Sequence, residues 1–579
     1  MNRKERRAAI KNAPVRANPA HNSHLAAMQL SALAIEHHQN NRLREAAIAY
    51  KRVLAIEPNH PSIINNLGCV LQAQGKLKEA SACFARALSL MPQIFRDYIN
   101  SYQTLISVLP PIGEAARRAA AAWPERLTAE QLLDGGGIAA IADDPLLCAM
   151  LEAVPVRSVA LEWVLTFLRG SLLGDAMAGR VLAESTLAFA CTLAKQCFIN
   201  EYVFATTPEE DAQVERLEGA LAEAIAEGRG VAPLQLAAIA MYRPLYALDH
   251  AAKLLERSWP RVVDEVVKQQ LREPLQEKEL RKSIPALTAI DDETSLRVRQ
   301  QYEENPYPRW VHVIGNVVPT PLDQYLRQMF PGVEFTPLGK TASVDVLIAG
   351  CGTGSQTTTI ALTCQGAQML AVDLSLSSLS YAKRNTPPAL ARNIEYAQAD
   401  ILKLREIGRT FDVVYSSGVL HHMADPGEAW RILVSLLRPG GLMNLSLYSE
   451  LGRADVVAAR AFIAERGYQP TAAGIRRCRQ ELLLTPLRRI ARSNDFFSTS
   501  ECRDMLFHVH ESRMTIPAIK ALIERHGLRF IGFEMEAQTS QKFRAEFAGP
   551  TTDLDQWHAF ETRYPETFES MYQFWVQKP

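Results

Sequence analysis

Residues 344–354 read Val-Asp-Val-Leu-Ile-Ala-Gly-Cys-Gly-Thr-Gly, an apolar run of strand length that passes directly into a glycine-rich turn. Such a run, bounded by a turn signal, predicts a central strand of a parallel sheet. Glycines beyond the strand let the backbone approach a ligand closely and adopt positive φ. Ligands of open α/β sheets bind at this place, outside the carboxyl ends of the strands. The stretch therefore predicts the ligand-binding edge of an α/β sheet.

The spacing of these glycines separates two kinds of cofactor. A dinucleotide fingerprint needs G-x-G-x-x-G/A. Gly350, Gly352 and Gly354 instead give G-x-G-x-G, and Ser355 stands where the third glycine or alanine belongs. The pattern favours a nucleoside-type cofactor without a pyrophosphate, and it disfavours NAD-dependent redox chemistry.

Three further strand patterns follow, with helix patterns between them. The second strand, Gln368–Val372, ends in Asp373, whose carboxylate can accept both hydroxyl hydrogens of a ribose. The third strand, Asn393–Ala399, ends in Asp400, and the fourth covers Phe411–Tyr415. This alternation of strands and helices predicts a doubly wound sheet.

Two more segments follow the fourth strand. Residues 416–426 read S-S-G-V-L-H-H-M-A-D-P, and L-R-P-G-G at 437–441 ends a helix before a fifth strand at 442–447. The ordered set resembles the class I S-adenosylmethionine-dependent methyltransferases. The resemblance implies a Rossmann-like α/β fold with a seven-stranded sheet that closes with antiparallel strands.

The same resemblance implies S-adenosyl-L-methionine as the cofactor. In that family the glycine loop passes under the methionine part, and acidic residues after strands two and three hold the ribose and lie beside the adenine amine. The cofactor contacts are therefore expected from Gly350, Cys351, Gly352, Gly354, Asp373, Leu374, Asp400, Ile401 and Ser417.

Residues 301–310, Q-Y-E-E-N-P-Y-P-R-W, form a segment that we call the tyrosine–proline box. Its prolines and aromatic rings make it stiff and preorganised. Class I methyltransferases often cover the cofactor with a segment before strand one, so Tyr302 and Tyr307 are candidate lid contacts. A packed linker is the alternative interpretation.

His421 and His422 are the candidate catalytic residues. Methyl transfer is an in-line displacement that depends mainly on alignment and desolvation. An oxygen or protonated nitrogen acceptor also needs a base, and imidazole titrates near neutrality. At least one of the two histidines is instead expected to pack or to bond the backbone. Ser416-Ser417-Gly418 stands where amino-group methylases have N-P-P-Y, which argues against methylation of adenine N6 or glutamine.

Length and composition describe a multidomain globular protein. A chain of 579 residues predicts about two to four domains. The formal net charge is zero, so a nucleic-acid partner is not expected, although a local basic groove stays open. Nine cysteines without a C-x-x-C pair fit a reducing compartment, and we expect a cytoplasmic protein.

The N-terminal region predicts an arm followed by helical repeats. Residues 1–22 are basic and lack an apolar segment, so a mobile arm is expected and neither a signal peptide nor a membrane span. In residues 23–110 a pattern repeats every thirty-four residues, pairing Ala46 with Ala80, Tyr50 with Phe84, and Pro58 with Pro92. The spacing matches tetratricopeptide repeats, which bury their apolar faces by stacking. A protein or peptide partner is expected, with a structural or dimerising role as the alternative.

Two further regions complete the predicted organisation. Residues 111–290 carry helical periodicity without a chemical motif, which indicates an all-α middle domain. Residues 291–579 form the predicted methyltransferase domain, with an insertion at about 449–517 that is placed to wall the acceptor pocket. Phe507-His508-Val509-His510 in this insertion has no third ligand at useful spacing, so no metal is expected.

The whole arrangement resembles bacterial fusions of tetratricopeptide repeats to a class I methyltransferase. One hypothesis is an active methyltransferase whose acceptor is a small molecule or a protein. The alternative is a scaffold whose repeats bind partners and whose cofactor domain is inactive or regulatory. The intact glycine loop with Asp373 and Asp400 favours activity.

Overall fold

The computed structural model describes residues 19–91, 98–311 and 317–579. The chain divides into two compact units, one reaching Arg117 and including Ala139–Met150, and one formed by Arg118–Ile138 with Leu151–Pro579. Residues 1–18 of the predicted arm lie outside the described residues. The first described helix begins at Pro19. Pro92, the last residue of the repeat pattern, also lies outside them. The predicted domain limits stay predictions.

The first unit consists of helices whose small and aromatic residues interlock. Ala46, Tyr50, Ala80 and Phe84 are all buried, as the repeat pattern predicts. Gly68 faces the ring of Phe84, and a Cβ at this glycine would lie 2.7 Å from a ring carbon. The first helices are α1 Pro19–Gln39, α2 Leu43–Ile56, α3 Pro61–Ala73, α4 Leu77–Leu90, α5 Tyr98–Val108 and α6 Pro110–Ala122.

The described residues up to Arg281 form helices and their connections, which confirms the all-α expectation for the N-terminal half. Phe167 is buried in the helix Val159–Met177. Among the described residues, no helix combines the length and the hydropathy needed to cross a bilayer. The helices are α7 Ala129–Leu132, α8 Pro145–Ala153, α9 Val159–Met177, α10 Glu184–Ile199, α11 Pro208–Ala226, α12 Pro233–Ala240, α13 Arg261–Val267 and α14 Glu273–Arg281.

The second unit contains one seven-stranded sheet, as expected for the fold class. The strand order is β3-β2-β1-β4-β5-β7-β6. Strands β1 to β5 pair in parallel, and β7 runs antiparallel to both β5 and β6. The strands are β1 Val344–Ala349, β2 Ala367–Asp373, β3 Ile394–Gln398, β4 Phe411–Ser417, β5 Leu437–Leu447, β6 Arg529–Phe533 and β7 Tyr572–Gln577.

One detail of this sheet differs from the sequence prediction. The L-R-P-G-G segment belongs to β5, which begins at Leu437, rather than to the end of the preceding helix. Strand pairing extends β5 backwards because Phe411 of β4 pairs with Leu437. Residue periodicity alone does not show such pairing.

Both faces of the sheet are buried, which explains the continuous apolar run of β1. Leu347 and Ala349 pack into one hydrophobic cluster, whereas Val346 and Ile348 pack into the other. Successive side chains of a strand point to opposite faces, so both sets must be apolar. The surrounding helices are α15 Glu293–Glu304, α16 Leu322–Met329, α17 Ser355–Thr363, α18 Leu376–Asn385, α19 Pro426–Leu436, α20 Ala454–Arg466, α21 Ala472–Leu483, α22 Thr499–Phe507, α23 Ile516–Arg525, α24 Ala537–Glu546 and α25 Leu554–Arg563.

The insertion after β5 is helical and packs against the middle helices. Arg479 of α21 forms a bidentate ion pair with Glu162 of α9, at 2.8 and 3.0 Å. The two side chains are 0% and 2% exposed. Ser498 caps α22 by accepting from the backbone N–H of Glu501. The insertion is therefore anchored to α9 by a buried ion pair.

Candidate active site

The glycine loop between β1 and α17 accepts no larger residues. Gly350, Gly352 and Gly354 all have positive φ, at 82°, 50° and 82°. A Cβ at Gly352 would lie 2.8 Å from the carbonyl oxygen of Tyr307, and one at Gly354 would lie 2.6 Å from the Cβ of Ala382. Both the backbone conformation and the space thus require glycine at these positions.

Asp373 at the tip of β2 joins this loop to the next helix. Its Oδ2 accepts from the N–H of Gly352 at 2.8 Å, and its Oδ1 accepts from the N–H of Ser375 at 2.9 Å. Burial raises the pKa of this carboxyl to about 6, with the nearby Glu303 as a smaller cause. Each oxygen keeps a lone pair for a further donor, so the group fits the expected ribose hydroxyls.

Asp400 lies at the tip of β3 and is 1% exposed. Its Oδ1 accepts from the N–H of Leu402, and burial raises the pKa of its carboxyl. Ser295 lies near this carboxyl, but no donor of the described residues meets Oδ2 at hydrogen-bond geometry. A buried carboxylate oxygen without a donor fits the expected adenine amine.

The tyrosine–proline box lies directly against the loop. The indole N–H of Trp310 donates to the carbonyl of Thr353 at 2.8 Å, and the hydroxyl of Thr353 donates to the carbonyl of Pro308. Ser375 donates to the carbonyl of Tyr302. The rings of Tyr302 and Tyr307 stack at 6.5 Å and are partly exposed. The lid role of these two tyrosines stays a prediction, but both lie at the site.

The other expected cofactor contacts surround the same edge of the sheet. Ser417 ends β4 and donates to the hydroxyl of Ser446 at 2.7 Å. Leu374 follows Asp373, and its carbonyl accepts from Gln398. Cys351 and Ile401 are each 6% exposed. Burial raises the pKa of the Cys351 thiol, so this residue is a neutral filler.

The two candidate histidines occupy different environments. His422 Nδ1 lies 2.9 Å from the carbonyl oxygen of His510, an acceptor that fixes this nitrogen as the protonated one. The ring of His421 stacks on Tyr448 at 3.7 Å, and neither of its nitrogens has a hydrogen-bond partner among the described residues. Burial lowers both pKa values, that of His422 to about 4. Both rings are thus neutral near pH 7, and His422 is a weak base.

The structure adds carboxylates that the sequence analysis did not select. Asp504 Oδ1 accepts from the hydroxyl of Tyr302 at 2.5 Å. Burial raises the pKa of Asp504 and Asp495 to about 6 and that of Glu501 to about 8. A sequence signal existed, because Glu501, Asp504 and His508 recur at three- and four-residue spacing and therefore share one helix face.

Three of the residues at this place could contribute ligand atoms to a metal ion. His422, Asp504 and His508 place potential ligand atoms within 4.8 Å of one another, so Asp504 supplies a third donor that the sequence analysis did not include. However, the rings of His422 and His508 stack at 3.5 Å with only 17° between their planes. Nitrogen lone pairs lie in the ring plane, so nearly parallel rings cannot both direct them at one tetrahedral ion. The expected absence of a metal stays a prediction.

Two family comparisons match separate parts of the chain. Residues 347–445 match a methyltransferase domain family, and residues 61–94 match the tetratricopeptide repeat. The first match covers β1 to β5, including the glycine loop, Asp373 and Asp400. The second covers α3 and α4, where Gly68 packs on Phe84.

Several curated proteins resemble part of the chain. An uncharacterized protein of Synechococcus is 30% identical over 32% of this chain and 48% of its own length. Phosphoethanolamine N-methyltransferase 1 of Triticum aestivum is 31% identical over 22% of this chain and 25% of its own length. Ubiquinone biosynthesis O-methyltransferase of Albidiferax ferrireducens is 30% identical over 20% of this chain and 46% of its own length. The chain thus spans about half or less of the length of these relatives.

Among solved structures, PKMT2 from Rickettsia typhi in complex with AdoHcy is similar over 44% of this chain and 52% of that chain, with 19% identity and a TM-score of 0.35. The family match and the fit of Asp373 and Asp400 lead to one conclusion. The chain carries a methyltransferase domain that uses S-adenosyl-L-methionine as its cofactor, and a tetratricopeptide repeat precedes it.

Proposed function

We propose that the protein is an active class I methyltransferase that transfers a methyl group to an acceptor bound under the insertion. One observation carries this proposal. The N–H of Gly352 is bonded to the carboxylate of Asp373, and the box covers both. A loop fixed in this way is preorganised to bind a nucleoside, which methyl transfer requires.

The residues at this site have different proposed roles in methyl transfer. S-adenosyl-L-methionine supplies a methyl group on a positively charged sulfur, which is already an activated leaving group. Asp373 and Asp400 orient the nucleoside, and the tyrosine–proline box excludes water. The box and α22 meet at the hydrogen bond between Tyr302 and Asp504, so the proposed acceptor pocket borders the proposed cofactor pocket.

The repeats have a proposed role in recruitment. Tetratricopeptide units bury their apolar faces by stacking and present the remaining surface to partners. We assign them the binding of a protein or peptide that is, or carries, the acceptor. Relatives named as N- and O-methyltransferases leave both acceptor atoms open.

The direct test is incubation of the purified protein with a cell extract and S-adenosylmethionine that carries a labelled methyl group. Label that appears in protein or small molecules supports the proposal. Gly352→Ala is expected to abolish the transfer, because its Cβ would lie 2.8 Å from the Tyr307 carbonyl oxygen. Gly339→Ala is the matched control, since Gly339 has a similar positive φ of 65° with open space around it. Cofactor binding without any transfer would favour the scaffold.

A further inference from the structure

We infer that Glu201, at the end of α10, is a positioning residue that couples the cofactor loop to the first turn of α22 on the acceptor side. The inference rests on the proposed function and adds a form of regulation, in which bound cofactor orders the acceptor side. It also gives a role to the middle helices, whose sequence carries no chemical motif.

The side chain of Glu201 holds two segments at once. Its Oε1 accepts from Nε of Arg309 at 3.0 Å, and its Oε2 accepts from the backbone N–H of Ser500 at 2.6 Å. Arg309 belongs to the tyrosine–proline box, and Ser500 lies in the first turn of α22. The Arg309 and Glu201 side chains are mostly buried, at 19% and 10% exposed. One carboxylate therefore joins the segment beside the cofactor loop to the helix of the acceptor side.

The backbone around Glu201 holds the same turn of α22. The carbonyl of Glu201 accepts from the hydroxyl of Thr499 at 2.8 Å, and the carbonyl of Asn200 accepts from the N–H of Thr499 at 3.2 Å. With the bond to Ser500, three contacts connect the end of α10 to the start of α22. The position of this first turn thus depends on residues 200 and 201.

Glu201 stands where glycine would fit the backbone best. It is the second residue after α10 and has φ of 55°, and Tyr202 beside it has φ of 59°. The N–H of Tyr202 donates to the carbonyl of Cys197, which is the bond of a helix end that turns through a left-handed residue, usually glycine. Strained residues of this kind concentrate at functional sites. The strain indicates a use for the Glu201 side chain that glycine could not serve.

The part of the box around Arg309 is bonded to the cofactor loop on both sides. The indole N–H of Trp310 donates to the carbonyl of Thr353 at 2.8 Å, and the hydroxyl of Thr353 donates to the carbonyl of Pro308. A ligand that binds a folded segment stabilises it. A cofactor at this loop therefore stabilises the box, and with it the donor that Arg309 presents to Glu201.

The second half of α22 reaches the box by a direct route. Asp504 accepts from the hydroxyl of Tyr302 at 2.5 Å, and Arg503 pairs with Glu304 at 2.7 Å. The first turn is instead held through Glu201. The two halves of one helix therefore report separately on the direct route and on the route through Glu201.

The junction requires a carboxylate because both of its partners are donors. Arg309 and Ser500 each present an N–H, so the group between them must accept twice. A carboxylate offers two acceptor oxygens, whereas a glutamine amide offers one oxygen and an NH₂ group that would face another donor. Glu201→Gln thus keeps the size of the side chain and breaks one of the two contacts.

The closing experiment is hydrogen exchange followed by mass spectrometry on the full-length protein, with and without S-adenosylhomocysteine. In the unchanged protein we expect the ligand to slow exchange around residues 350–375 and over both halves of α22. In Glu201→Gln the ligand should still slow exchange around 350–375 and at 503–507, but not at 499–502. Ligand-induced protection of 499–502 that persists in the variant, or that is missing from the unchanged protein with ligand bound, overturns the inference. Failure of the ligand to bind the unchanged protein contradicts the proposed function instead.

Affinity and thermal unfolding separate coupling from a purely structural role. Because linkage is reciprocal, Glu201→Gln should weaken S-adenosylhomocysteine binding about fivefold or more in calorimetry. A carboxylate that only stabilises the fold would lower the unfolding temperature and leave this affinity unchanged, which would overturn the inference. Glu201→Gly removes the carboxylate and relieves the backbone, so it provides the same readouts if Glu201→Gln does not fold.

Glu152→Gln is the matched control for these variants. Glu152 pairs with Lys195 of α10 at 2.5 Å and accepts from Thr192 of the same helix. Its loss weakens a contact of α10 without removing a bond to the box or to α22, so the affinity and the protection of 499–502 should stay unchanged. Equal effects of the control and of Glu201→Gln would contradict the assignment to Glu201.

Discussion

At the scale of single residues, the carboxylate of Asp373 joins three parts of the site. It accepts from the loop at Gly352 and from the N–H of Ser375, the residue that caps α18 and contacts the box through its hydroxyl. One buried group thus positions the turn, the helix cap and the covering segment. Its remaining lone pairs are what we expect a ribose to use.

Asp373→Ala tests the ribose contact. We expect the affinity for S-adenosylhomocysteine to fall about tenfold to a hundredfold, the range for hydrogen bonds to a charged group. Calorimetry measures the affinity directly. Asp345→Asn is the control, because Asp345 lies at the opposite end of β1 and pairs with Arg438 at 2.7 Å. Unchanged affinity in the Asp373 variant would reject the contact.

The raised pKa of Asp373 predicts a pH dependence. Because burial raises it to about 6, this carboxyl gains its proton near pH 6 in the folded protein, above its ordinary value. A protonated carboxyl is a poorer acceptor for hydroxyls, so affinity for S-adenosylhomocysteine should decrease as pH falls through about 6. Asp373→Asn should bind weakly at all pH values without this decrease. If the affinity of the unchanged protein and that of the Asp373→Asn variant depended on pH in the same way, a group other than Asp373 would be responsible.

At the scale of elements, the contact between α9 and α21 sets the position of the insertion. The guanidinium of Arg479 bonds both oxygens of Glu162 and also the carbonyls of Val203 and Phe496. The Nε, Nη1 and Nη2 atoms of Arg479 therefore all donate to acceptors inside the protein. A buried ion pair of this kind supports the folded state only while both partners are present. If one partner is removed, the other charge stays buried without compensation and strongly destabilises the fold.

Glu162→Ala is expected to lower the free energy of unfolding by about 3–5 kcal/mol, because it leaves the Arg479 charge buried without its partner. Urea denaturation measures the loss. The double variant Glu162→Leu with Arg479→Met should recover much of it. Arg489→Ala removes an exposed pair with Asp455 in the same insertion and should cost less than about 1 kcal/mol. A small effect of Glu162→Ala would show that water reaches the pair.

At the scale of the whole molecule, the chain consists of two compact units with different kinds of order. The repeat unit is held by local helix contacts such as Gly68 on Phe84. The larger unit holds the sheet, whose parallel pairs join residues far apart in sequence. Each unit can therefore be stabilised or weakened by changes of its own.

Hydrogen exchange followed by mass spectrometry tests this division. Gly68→Ala should increase exchange in α3 and α4, because its Cβ would lie 2.7 Å from the ring of Phe84. S-adenosylhomocysteine should decrease exchange around residues 350–375 through ligand stabilisation. Gly219→Ala is the control for the first change, since Gly219 also lies within a helix and a Cβ there meets open space. Faster exchange spread evenly over the chain would contradict the division.

Much of the fold was predictable because its signals are local. The apolar run of β1, the glycine spacing and the carboxylates at the tips of β2 and β3 each follow from residues close in sequence. The repeat pattern is equally local, since small and aromatic residues recur at fixed spacing. The start of β5 at Leu437 was not predictable, because pairing with β4 decides it.

Local sequence was enough to predict the cofactor edge, since the sterics of a glycine turn and the position of a carboxylate after a strand depend on neighbouring residues only. Tertiary structure alone decided the acceptor side. Tyr302 meets Asp504 across 202 positions of the chain. The pKa values of His422 and Asp504 depart from ordinary values because packing removes water from both. Neither contact nor desolvation is encoded by spacing along the chain, so only the folded protein shows which side chains are buried together.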